Sequence, residues 1–127
     1  MMKKQFKQVQ EFNEAFNVDL TPSRKNDKLR VDLLLEEADE YNMAVADNNR
    51  VEMLDAIGDI LYILIGSCHY HGFTCELIER VFDEIHHSNK SKLDLDGTPI
   101  LREDGKVMKG PNYFKPQIKS ILEKHEG

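Results

Sequence analysis

Apolar residues recur along this chain at helical spacing. Phe6, Val9, Phe12 (or Asn13) and Phe16 fall three or four residues apart and predict a short amphipathic helix over 4–16. Thr21-Pro22-Ser23 and Asn26-Asp27 mark a loop, with Asn26 or Asp27 as candidate caps for the next helix. Leu29, Leu33, Leu34, Ala38, Tyr41 and Val45 then form the apolar stripe of a second helix, 28–46. Asp47-Asn48-Asn49 is a turn signal, with Asp47 or Asn49 as cap. A third helix follows from about Arg50 to at least Ser67, carrying Val51, Leu54, Ile57, Leu61, Tyr62, Leu64 and Ile65. The short break predicts that helices two and three return antiparallel as a hairpin. Gly72 ends the third helix, and Thr74 is placed to cap a fourth, from Cys75 to about His87, packed through Leu77, Ile78, Val81, Phe82 and Ile85. Beyond Leu93 the pattern changes. Asp96-Gly97, Asp104-Gly105 and Gly110-Pro111 are turn signals around short extended pieces at Leu95, Ile100, Leu101 and Val107, consistent with one small hairpin. A short closing helix is expected over 116–125.

Length and charge narrow the picture. A chain of 127 residues suits one domain, here a helical core over about 4–90 followed by a strap and short helix over about 91–127. The formal net charge is -6, with 23 acidic against 17 basic residues, which argues against a general nucleic-acid binder. It leaves room for a small phosphorylated substrate, because a divalent cation reverses the local sign. The two cysteines form no C-x-x-C, so free thiols in a reducing compartment are expected. The start lacks the apolar run of a signal peptide, and the longest apolar run, 60–66, is too short to cross a membrane. These features predict a soluble, cytoplasmic protein.

The candidate chemistry is acidic. Glu36, Glu37 and Glu40 project from helix two, and Asp39 belongs to its solvated face. Glu52, Asp55 and Asp59 follow a three-then-four spacing that places them on one face of helix three. A solvated acidic face is the plain explanation, but no Lys or Arg lies three or four residues from Glu36, Glu37 or Glu40 to offset the repulsion. A hard divalent cation such as Mg²⁺ takes an oxygen-rich shell, and two ridges facing each other across a hairpin can hold one or more such ions. Gly58, beside Asp59, fits close helix packing or room for a ligand. His69, His71 and Cys75 have the look of a zinc site, but a helix end with small buried thiols accounts for them better. Phe6, Phe12 and Phe16 are read as core, with an aromatic wall for a base as the sharper alternative.

These residues resemble the all-α nucleoside triphosphate pyrophosphohydrolases, which include MazG proteins, phosphoribosyl-ATP pyrophosphohydrolases and dimeric dUTP pyrophosphatases. The family signature is E-E-x-x-E on one helix and E-x-x-D on the next. Glu36-Glu37-Ala38-Asp39-Glu40 matches the first half. The second half has two registers. Spacing selects Glu52-x-x-Asp55, whereas Gly58-Asp59-Ile60-Leu61-Tyr62 matches the family's apolar context and leaves Ala56 where a glutamate is expected. The resemblance covers about Phe6 to Lys92 and is strongest over 29–65. It implies a helical bundle completed by dimerisation, as a homodimer or dimer of dimers, with Mg²⁺ as cofactor and Mn²⁺ able to replace it. It implies hydrolysis of a nucleoside triphosphate to a monophosphate and pyrophosphate. Glu36, Glu37 and Glu40 would then be catalytic, with Glu36 acting on the attacking water. Glu37, Glu40 and Asp59, joined by Asp55 or Glu52, would hold metal. Asn89, Lys92 and Lys109 would contact the phosphates, and Phe12, Phe16 or Tyr62 would shape the base pocket. Lys106, Lys109 and Lys115 with Tyr113 and Phe114 either close over a nucleotide or strap the bundle. The rival readings are a phosphoribosyl-ATP-type substrate, a phosphodiesterase or phosphatase, and a non-catalytic helical dimer that binds metal, nucleotide or a protein partner.

Overall fold

The computed structural model describes residues 1–127. Its five helices are α1 (Lys3–Ala15), α2 (Arg24–Ala46), α3 (Arg50–His71), α4 (Cys75–Lys90) and α5 (Ile118–Glu126). The all-helical expectation is borne out, and the chain forms two compact units, 1–75 and 76–127.

In the first unit, α2 begins four residues before the predicted Lys28. Ser23 is the cap: its backbone is extended and its Oγ accepts from the Asn26 amide at 3.0 Å. Asn26 instead donates its side-chain amide to the Thr21 carbonyl at 2.8 Å, and Asp27 accepts from the Tyr70 hydroxyl at 2.7 Å. Neither is free to cap. The Ser23 amide in turn donates to the Tyr70 hydroxyl at 3.1 Å, which ties the end of α3 to the start of α2. Asn49 caps α3 by accepting from the Glu52 amide at 3.1 Å, and Gly72 ends that helix in the left-handed region at φ 76°.

Contacts between α2 and α3 run antiparallel, as expected of a hairpin. Arg30 on α2 donates to the Ser67 hydroxyl at 3.1 Å and to the Ile63 carbonyl at 2.8 Å. Glu37, two turns on, approaches Asp59. The guanidinium lies over Gly66, where a Cβ would sit 2.6 Å from Nη2, so any larger residue there would displace the Arg30 side chain from its seat. Gly58 does not have that role: a Cβ there would meet nothing within 4 Å, which corrects the packing explanation.

The core of this unit is small, comprising Phe6, Val9, Ala44, Ala56, Ile65, Tyr70 and Cys75. Phe12 and Phe16 are 42% and 69% exposed, so only Phe6 of the three phenylalanines is core. At 100° per residue, Phe6, Val9 and Asn13 share a sector of about 60° and Phe12 falls outside it. The helix buries that sector, Asn13 included. Much of the expected apolar stripe of α3 is also open. Leu54, Ile57, Leu61 and Leu64, spaced three, four and three residues apart, are 72%, 44%, 50% and 41% exposed.

In the second unit, α4 runs three residues past the expected His87. The small hairpin is present as a single antiparallel bridge between Leu101 and Val107, flanked by bonds of 2.7 Å from Met108 to Ile100 and from Arg102 to Lys106. The following strap is pinned to α4. The buried Ser88 hydroxyl donates to the Phe114 carbonyl at 2.7 Å, and the Ser91 hydroxyl accepts the Phe114 amide at 3.2 Å. Glu84 accepts from the Gln117 amide at 2.7 Å just before α5.

Candidate active site

Antiparallel pairing of α2 with α3 brings three carboxylates together. One oxygen each from Glu37, Glu40 and Asp59 lies within 4.8 Å of the others. Glu37 and Glu40 are one turn apart on α2, and Asp59 meets them from α3. Glu37 is the most constrained. Its Oε2 is buried and has no hydrogen-bond partner. Desolvation, reinforced by a hydrogen bond with Glu40 and by the charges of Glu40, Asp59 and Asp55, holds its carboxyl above the ordinary glutamate value.

No cation of the protein answers this cluster: Arg30, the nearest on α2, is committed to Ser67 and the Ile63 carbonyl. A divalent ion fits the donor set, which is all oxygen, anionic, and one partner short at Glu37.

The raised value of Glu37 has a measurable consequence. Its stabilising protonated state is fully present below the ordinary 4.5 and is lost as pH rises through the higher folded value. Metal-free protein should therefore lose thermal stability over that interval, and Glu37→Gln should flatten the dependence. Unfolding curves in EDTA across acidic pH check this; an unchanged slope in the variant would place the strain elsewhere.

The other sequence-predicted residues are distributed as follows. Glu36 is exposed on α2 outside the three-oxygen set. Asp55 is exposed, yet its charge is felt by Glu37. Glu52 is exposed in the first turn of α3. Tyr62 stands one turn from Asp59, and Phe12 meets its ring edge-on at 5.8 Å while lying 4.6 Å from Phe16. These three half-open rings thus form a wall on the α1–α3 side. Asn89 and Lys92 belong to the second unit, where the Lys92 amide donates to the Asn89 carbonyl at 3.2 Å. Lys109, in the same unit, places Nζ 4.9 Å from the centre of the Tyr113 ring. His69, His71 and Cys75 do not converge as ligands; His69 Nε2 instead lies 2.8 Å from the Phe6 carbonyl.

Comparison with known proteins agrees with this architecture. The profile of the phosphoribosyl-ATP pyrophosphohydrolase family matches residues 4–89. The crystal structure of a candidate NTP pyrophosphohydrolase from Exiguobacterium sp. 255-15 superposes with a TM-score of 0.55 at 23% identity, over 94% of this chain and 78% of that one. An uncharacterised protein of Acanthamoeba polyphaga mimivirus is 47% identical over 49 residues, which is 39% of this chain. The match spans only 20% of the viral protein. An all-α pyrophosphohydrolase is the class that fold and profile define, and the chain belongs to the phosphoribosyl-ATP pyrophosphohydrolase family. No helix is long and apolar enough to cross a membrane.

Proposed function

We propose that the protein is a metal-dependent nucleoside triphosphate pyrophosphohydrolase, releasing a nucleoside monophosphate and pyrophosphate. The observation that carries this reading is the convergence of Glu37, Glu40 and Asp59 around a buried carboxylate oxygen with no partner. Glu37, Glu40 and Asp59 would hold Mg²⁺, or Mn²⁺ in its place, with Asp55 or Glu52 completing the shell. The bound ion supplies charge neutralisation for the phosphates and acidifies water. Glu36, close in sequence but outside the cluster, orients or deprotonates the water that attacks the α-phosphorus. The bond to the bridging oxygen breaks, and pyrophosphate leaves. Tyr62, one turn along α3 from Asp59, offers with Phe12 and Phe16 ring faces and edges for the base. Asn89, Lys92 and Lys109 carry the phosphate-contact role that the family resemblance gives them.

The open stripe on α3 supports a homodimer, alone or paired into a dimer of dimers. Contiguous exposed leucine and isoleucine at helical spacing is costly in water and is relieved by a second copy. Cytoplasmic placement is the remaining part of the proposal.

A nucleotide panel with and without Mg²⁺, read by chromatography of both products, tests the activity. It should include canonical and modified deoxynucleotides and phosphoribosyl-ATP, the second reading, which the family profile favours. Monophosphate plus pyrophosphate, formed only with metal and lost in Glu40→Gln, is expected. Full activity in EDTA, or release of inorganic phosphate alone, would overturn the proposal.

A further inference from the structure

Two cavities lie end to end along α1, away from the carboxylate cluster. One, of about 820 Å³, has Lys3, Lys4 and Lys7 on its rim and Phe6 and Phe73 on its floor. The other, of about 580 Å³, is lined by Asn13, Glu14 and Asn17 among others. Gln10 and His69 line both, so the two adjoin along α1 and are together called the groove. Volumes of this order suit a small-molecule ligand.

The chemistry of the groove is graded. The three lysines stand within five residues of an acidic chain, and none of them takes part in the ion pairs made by Lys28, Arg102 and Lys119. Their end of the groove therefore attracts an anion. At the far end, Asn13 is only 8% exposed and its Nδ2 has no hydrogen-bond partner. A buried donor left unmade is destabilising, and a turn of the Asn13 amide toward the cavity it lines would offer that donor to a ligand carbonyl. Beside it, Glu14 accepts from Gln10 at 3.1 Å and presents a carboxylate that repels phosphate and receives hydroxyl or amine donors. Between the two ends, the Phe6 carbonyl fixes His69: an acceptor there requires Nε2 to carry the proton. The apolar floor is flanked by the Phe6 and His69 rings, 5.5 Å apart.

We propose that this groove is a second nucleotide site, separate from the carboxylate cluster, with phosphates at Lys3, Lys4 and Lys7 and the base edge at Asn13. The spacing agrees. Along a helix, Asn13 is about 9 Å from Lys7 and about 15 Å from Lys3, a range spanned by extended nucleotides carrying one to three phosphates. Glu14 sets the orientation by excluding phosphate from the Asn13 end.

The test is binding of α,β-methylene-ATP to isotope-labelled protein in EDTA, followed by NMR. Without a divalent ion the carboxylate cluster repels phosphate, so this readout is independent of whether the protein hydrolyses nucleotides. Saturable shifts are expected at the Asn13 side-chain amide, at His69 and at the amides of residues 3–7. Lys7→Glu should weaken binding by roughly tenfold or more, the weight of one charge-assisted contact. Asn13→Leu should weaken binding while raising thermal stability, since it removes the unmade donor; this pairing separates a ligand role from a structural one. The proposal is overturned by an absence of saturable shifts, by shifts confined to Glu37, Asp59 and Tyr62, or by Lys7→Glu binding as wild type. Tripolyphosphate binding as tightly as the nucleotide would also overturn it, because a polyanion patch would then suffice.

Discussion

Replacing Asp59 with asparagine lowers pyrophosphate release by roughly a hundredfold or more, beyond the ten- to hundredfold that loss of an outer-shell partner costs a metal site. The substitution keeps the shape of the side chain and removes its charge. Two effects of opposite sign follow from the same geometry. The donor set loses one of its three anionic oxygens, so metal affinity and turnover fall. Glu37 loses one of the charges that hold its carboxyl up, so the metal-free protein becomes more stable at neutral pH. Wild-type protein should gain thermal stability on adding Mg²⁺, and Asp59→Asn should gain little, because a ligand stabilises only in proportion to its binding. Product chromatography and unfolding curves with and without EDTA measure both effects. Activity retained within a few-fold would show that the three carboxylates are not the reaction centre.

Leu61→Glu is expected to turn the proposed dimer into a monomer. Leu61 is half exposed in the single chain and sits within the stripe formed with Leu54, Ile57 and Leu64. In a dimer seam on α3, the introduced carboxylate would be buried without a partner at each copy, a cost of about 3–5 kcal/mol per site. Light scattering after gel filtration reads the assembly directly, and circular dichroism confirms that the helices persist. A variant that elutes at the wild-type mass would place the seam elsewhere, and a monomeric wild type would dispose of self-association through this face.

The acidic ridges were legible in the sequence because helical spacing alone assigns residues to faces. Spacing puts Glu36, Glu37 and Glu40 on one helix and Glu52, Asp55 and Asp59 on the next, while the packing of α2 on α3 decides that Glu37, Glu40 and Asp59 converge. The start of α2 was not legible. Ser23 is followed by Arg24, Lys25 and Asn26, a polar first turn with no apolar residue before Leu29, so periodicity had nothing to register. The fates of Phe12 and Phe16 were hidden for a related reason. Spacing fixes which residues share a face, but which sector of α1 meets α3 is decided by packing, and packing chose the sector holding Phe6, Val9 and Asn13. The seat of Arg30 over Gly66 is a contact across 36 positions of sequence, and neither residue alone announces it. At Ala56, where the family pattern has a glutamate, the structure shows a buried small side chain in the core rather than a fourth acid.

The unpartnered oxygen of Glu37 also bears on how this chain can drift. Most random changes at a partly buried position weaken a fold, yet here a neutral side chain is expected to strengthen it, because the native carboxylate is crowded by its own kind. A duplicate copy freed of the proposed metal-binding role would be relieved of this like-charge crowding by losing the acid. Glutamate at position 37 is thus a residue that the fold by itself would discard, and among diverged descendants its loss should be an early mark of a copy that has stopped working as a catalyst.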